Sequence, residues 1–98
     1  MKDLIFLLAS EIDIQTAYER CEAVQEGRGD VFMEVLDARL GLLRANPLLG
    51  KMIEEPIRRL LLIDFPYGIF YENQPSRIII AGVMDLRQDP VTIRRRWR

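Results

Sequence analysis

The chain of 98 residues contains no histidine, a single cysteine and a single tryptophan. Without histidine it lacks the usual general base at neutral pH and the commonest zinc ligand, so serine–histidine hydrolysis and histidine-ligated metal chemistry are not expected, nor is any cofactor. A lone cysteine, Cys21, cannot close an internal disulfide; it is compatible with a reducing compartment and reads as a small core residue. Long apolar runs are missing too. The stretch Leu4 to Ala9 is too short for a signal-peptide core, and the acids Glu11 and Asp13 follow it directly. We therefore expect a first strand there, no targeting segment, no membrane association and a cytoplasmic location.

What is present fits one compact domain spanning residues 1–98, with half the chain apolar and less than a third charged. A net charge of −1 conceals an uneven distribution. Residues 1–55 carry eleven acids against six bases, whereas residues 56–98 carry four acids against eight bases. The basic half ends in Arg94-Arg95-Arg96-Trp97-Arg98. Such polarity suggests a partner for each part and argues against general coating of nucleic acid. The tail reads either as a solvated, frayed terminus or as a contact for an acidic partner. Trp97 either stacks on a partner or packs back on the protein.

Periodicity gives an α+β order. Leu4 to Leu8 is apolar and strand-like. Ser10, with Asp13 three residues on, reads as the start of a helix over about Glu11 to Glu26, whose stripe is Ile14, Ala17, Tyr18, Cys21 and Val24. Asp13, Glu19 and Glu22 read as its solvated face. Gly27-Arg28-Gly29 breaks it, and Asp30 is placed to cap a second helix with stripe Phe32, Val35, Leu36, Leu40 and Leu43, stopped at Asn46-Pro47. Two stripes of matching length with a short link predict an antiparallel helical hairpin. Leu48 to Glu55 reads as a mixed connection turning at Gly50. Three strands follow, Ile57 to Phe65, Gly68 to Glu72 and Arg77 to Met84, with Asn73-Gln74-Pro75-Ser76 as a turn. The run Ile78 to Val83 is apolar on both faces and suits a central strand. Asp89-Pro90 predicts a short terminal helix toward Trp97. The hairpin is expected to pack on a small, mostly antiparallel sheet.

The segment Ile57 to Tyr71 carries the clearest functional signal. Arg58 and Arg59 stand side by side at the head of an apolar strand, and alternation turns one toward the core side and the other toward solvent. A charge on a core face is costly unless paired or lining a site. Glu54, Glu55 or Asp64 could pair with these arginines, and Asp85 or Asp89 with Arg87. Tyr67 and Tyr71 read first as half-buried sheet aromatics.

Taken along nearly the whole chain, these residues resemble the RelE/ParE superfamily of toxins from type II toxin–antitoxin systems. The resemblance rests on Asp13, Ala17 and Tyr18 in the first helix, Asn46-Pro47-Leu48-Leu49-Gly50, Ile57-Arg58-Arg59, Phe65-Pro66-Tyr67-Gly68-Ile69-Phe70-Tyr71 and Arg87-Gln88-Asp89-Pro90. It is nearer to the ParE-like, plasmid-stabilisation branch. That branch implies growth inhibition by binding DNA gyrase, without chemistry of its own, and neutralisation by a cognate antitoxin. Target contacts would fall on Arg58, Arg59, Arg87, Arg94, Arg95, Arg96 and Trp97. The RelE-like alternative implies ribosome-dependent cleavage of mRNA, with Arg58 and Arg87 as phosphate-stabilising cations and Tyr71 assisting. Against it, Met84 or Asp85 stands where many relatives carry histidine, and Thr92 and Ile93 stand where a catalytic tyrosine is sought. Relatives are also more basic than this chain. A homodimer or a toxin–antitoxin hetero-oligomer fits the apolar surface expected on the hairpin.

Overall fold

A computed structural model describes residues 1–97; Arg98, the last of the tail's arginines, lies outside the described residues. The elements run β1 (Asp3–Phe6), α1 (Leu8–Val24), α2 (Arg28–Ala45), β2 (Lys51–Glu54), β3 (Ile57–Leu61), β4 (Tyr67–Asn73), β5 (Arg77–Asp85) and α3 (Pro90–Arg94). The strands form one sheet in the order β1-β5-β4-β3-β2. Only β1 and β5 are parallel, with Asp3 opposite Arg77 and Phe6 opposite Ile80. The doubly apolar run in β5 therefore lies inside the sheet, as its composition requires. No helix among the described residues is long and apolar enough to cross a membrane.

The helical hairpin covers one face. Phe32, Leu36 and Leu43, at most 1% exposed, meet Leu60, Ile69, Tyr71, Ile78, Ile80 and Val83 from the strands. Phe32 also takes Phe65 and Tyr67 edge-on, with ring centroids 5.6 and 5.5 Å away. The opposite face carries a smaller cluster, Ile57, Phe70, Met84 and Ile93, brought together by α3.

Several expectations need correcting. Helix α1 starts at Leu8, inside the stretch read as strand, and Ser10 is buried within its first turn. The Ser10 hydroxyl donates to the Leu7 carbonyl at 2.7 Å, so it bonds backward and does not cap. Val24 is 79% exposed and leaves the stripe at Cys21. Gly27, at a φ of 87°, leads into α2, and the capping expected of Asp30 falls to Glu22. The Glu22 carboxylate accepts from the amides of Gly27 (3.2 Å) and Gly29 (2.7 Å), while Asp30 accepts from the Tyr18 hydroxyl. Glu22 is thus a structural cap and not part of a solvated face. Lys51–Glu54, read as connection, is an edge strand with a bulge against β3. Strand β3 ends at Leu61, four residues early, because Asp64 adopts a left-handed φ of 65° and turns Phe65 back onto Phe32. Helix α3 stops at Arg94, short of Trp97.

Candidate functional site

Alternation along β3 sends the two arginines to opposite faces, and neither meets bare solvent. Arg58 lies opposite Tyr71, on the hairpin side. The Tyr71 hydroxyl donates to the Pro47 carbonyl at 2.7 Å and accepts from the Gly50 amide at 2.9 Å. Arg58 donates to the Gly50 carbonyl at 2.9 Å and reaches that of Leu48 at 3.5 Å. Loop carbonyls, and not Glu54, Glu55 or Asp64, are its partners. Gly50 is required here, since a Cβ would stand 2.6 Å from the Tyr71 hydroxyl. The Asn46–Gly50 segment, a motif in the sequence, is the loop that this cluster ties to the sheet.

Arg59 faces the other way, paired across the strands with Phe70. Its Nε is buried and has no hydrogen-bond partner. An unsatisfied buried donor costs about 1–3 kcal/mol. Over this face the C-terminal segment is held at three points. Asp89 caps α3 by accepting from the Val91 amide at 2.9 Å, and Ile93 enters the small apolar cluster. Trp97 stacks on Phe70 (centroids 5.5 Å apart, planes at 30°), and its indole donates to Glu54 at 2.6 Å. Arg96 makes a two-pronged ion pair with Asp13, through Nη1 at 2.5 Å and Nη2 at 3.0 Å, and also donates to the Ala81 carbonyl.

The Asp13–Arg96 pair has a local cause. Strand β1 ends at Phe6, so the outer edge of β5 beyond Ile80 has no neighbouring strand. A bulge leaves Ala81 as an extra residue between the partners of Tyr71 and Phe70. Asp13 Oδ2 accepts from the Val83 amide at 3.0 Å, and Arg96 takes the Ala81 carbonyl. Two side chains thus complete the sheet edge. Asp13, expected as solvated surface, is a half-buried partner of β5.

Arg87 lies beyond β5 and grips Asp85, at 2.7 Å through Nη2 and 3.0 Å through Nε. This hydrogen-bonded pair holds the Asp85 carboxyl below its ordinary range, against the opposing effect of its burial. Arg94 and Arg95 are exposed. Arg58, Arg87 and Tyr71 do not converge. Tyr71 pairs with Arg58 and Tyr67 pairs with Asp85, and those two tyrosines are four residues apart, roughly 13 Å along β4. All three tyrosines are pushed up in pKa, Tyr71 and Tyr67 chiefly by burial and Tyr18 chiefly by its hydrogen bond to Asp30. None is set to lose a proton near neutrality. No group of three His, Cys, Asp or Glu side chains suited to a metal occurs among the described residues.

Sequence reading missed Asp13, Glu54 and Phe70 as site residues. Their partners are up to 83 residues away, and no local spacing signals them.

No family model and no curated protein matches the chain. A solved structure described as a chromosomal ParDE toxin–antitoxin (TA) system from P. aeruginosa contains a chain similar to it in fold, with a TM-score of 0.78 and 16% sequence identity. The match covers 89% of this chain and 98% of that one.

Proposed function

We propose that residues 1–98 form the ParE-like toxin of a type II toxin–antitoxin pair, acting in the cytoplasm by binding DNA gyrase and neutralised by a cognate antitoxin. The likeness in fold to a chain of a ParDE system supports the toxin reading. Binding is favoured over cleavage by one observation in particular, the separation of Arg87 from Arg58 and Tyr71, which are themselves tied to a loop. Arg58 and Tyr71 are engaged with the Pro47–Gly50 loop, and Arg87 is paired with Asp85 well away from them. General acid–base catalysis needs the groups within hydrogen-bond reach of one reacting centre. The exposed cations Arg94 and Arg95, with Trp97 and the groove beside it, are the contact surface we assign to the target. Arg96 supports that surface through Asp13. A homodimer or a hetero-oligomer with the antitoxin is compatible with the exposed apolar residues Leu8, Ile12 and Leu42 on the hairpin.

The test is a parallel assay of the purified chain for inhibition of gyrase supercoiling and for translation-dependent mRNA cleavage. Inhibited supercoiling with intact mRNA is the expected result. Cleaved mRNA with normal supercoiling overturns the proposal. Within the first outcome, Arg94→Ala combined with Arg95→Ala should weaken inhibition while leaving the melting temperature unchanged.

A further inference from the structure

Between the sheet face under α3 and the C-terminal segment lies a groove of about 240 Å³. Ile53, Phe70, Leu86 and Trp97 supply apolar walls; Arg59 lies within and the exposed Arg94 stands at its mouth. A Cβ on Gly68 would sit 3.1 Å from Arg59 Cγ and 3.2 Å from Leu86 Cδ2, so the stem of Arg59 lies close over that glycine. Among the described residues Arg59 makes no hydrogen bond and no ion pair, and its buried Nε lacks an acceptor. An arginine held this way is a donor set awaiting an anion.

We propose that this groove is a binding site for one carboxylate side chain of a partner protein, a Glu or Asp flanked by apolar residues, received by Arg59 with Arg94 assisting. Guanidinium Nε and Nη form a planar fork that matches a carboxylate with two parallel hydrogen bonds. The apolar walls suit the flanking side chains of a peptide. Glu54 shares the groove wall, where it accepts from the Trp97 indole, and the remaining lining is mostly apolar, which suits peptide side chains better than a run of phosphates. A peptide segment is therefore favoured over a nucleic-acid strand. The inference deepens the binding reading above by giving the chemistry of the partner, and it is tested without any assay of toxicity, so the two fail separately.

Arg59 and the chain's only tryptophan both report on the groove. The full chain, labelled with nitrogen-15, is titrated with the peptide acetyl-Leu-Glu-Phe-amide, its Leu-Gln-Phe counterpart and hexauridylate. The expected result is that the Glu peptide shifts the Arg59 Nε–H and Trp97 Nε1–H signals together and saturably. The Gln peptide should bind about tenfold more weakly or worse, as the loss of a charge-assisted pair implies. In Arg59→Gln the Trp97 signal should no longer respond, while the melting temperature stays close to that of the parent chain, because Arg59 has no partner to lose. Arg59→Lys, which keeps the charge without the fork, should also lose the response. Equal binding of the two peptides, no shift with either, an unchanged response in both variants, or tighter binding of hexauridylate each overturns the proposal.

Discussion

The two faces of the sheet are built from the same strands and closed by different means. On the hairpin face two long helices bury a continuous apolar layer, and Arg58, the charged residue that β3 turns to that side, is satisfied by loop carbonyls. On the opposite face a five-residue helix and a few polar contacts cover a smaller cluster, and Arg59 is left unsatisfied. The first face holds the fold together. The second retains an open groove and a buried donor, at the cost of a weaker cover.

The contrast puts the largest loss of stability on the hairpin face. Phe32 is 0% exposed and touches both Phe65 and Tyr67, so Phe32→Ala should cost about 3–5 kcal/mol. That is a large part of the total stability of a small domain. Chemical denaturation should show the midpoint falling for the whole molecule, with helix and Trp97 signals lost together. A loss under about 1 kcal/mol would mean that the hairpin face is not the main core.

Breaking the Asp13–Arg96 pair should act more locally. Arg96→Ala leaves the Asp13 carboxylate with the Val83 amide alone and frees the Ala81 carbonyl. Both side chains are partly exposed (27% and 15%), so the expected cost is about 1–3 kcal/mol, below that of a fully buried pair. Because the pair anchors the C-terminal segment, Trp97 emission should shift to the red at denaturant concentrations where helix content is still intact. Coincident transitions would show that the second face is no less firmly closed than the first.

Tyr71→Phe should cost less again, about 1–2 kcal/mol, since it removes one hydroxyl that both donates to Pro47 and accepts from Gly50 while leaving the ring in place. Hydrogen exchange should accelerate at the Gly50 amide first. Unchanged protection there would remove the tyrosine from its place as the tie between loop and sheet.

The legibility of the two faces in the sequence differs for the same reason. The hairpin face is written in short-range periodicity. Phe32, Leu36, Leu40 and Leu43 recur every three or four residues, and the double-sided run in β5 announces a central strand. The second face depends on pairs distant in sequence, Asp13 with Arg96 and Glu54 with Trp97, and a charged residue on a helix surface looks the same whether it meets water or an arginine from the other end of the chain. Strand β2 was hidden for another reason. Lys51-Met52-Ile53-Glu54 is four residues long, lies at an edge and has no alternating pattern. Alternation did place Arg58 and Arg59 on opposite faces. It could not show that the outward face was itself covered.

The smallest effect is expected at the end of β5, at Asp85 and Arg87. Asp85 is largely buried and its carboxyl is lowered from the ordinary value of 3.8, first by the hydrogen-bonded Arg87 side chain. A depressed folded-state pKa means that the unfolded chain binds the proton more readily. The contribution of this pair is therefore present above pH 3.8 and is lost as the pH falls from there through the lower, folded-state value. Arg87→Ala removes the main cause of the depression. It should flatten the acid limb of the stability curve below about pH 4 and lower stability near neutrality by the same small amount, the two curves meeting at low pH; the effect is small because the Arg87 side chain is 72% exposed and solvent screens the pair. Denaturation midpoints measured from pH 2 to pH 7, at low and at high salt, test this directly. Added salt should reproduce part of the variant's flattening in the parent chain. A parent and variant with parallel acid limbs at both salt concentrations would mean that the backbone amide of Arg87, which also donates to Asp85 at 2.9 Å, lowers the carboxyl and the guanidinium does not.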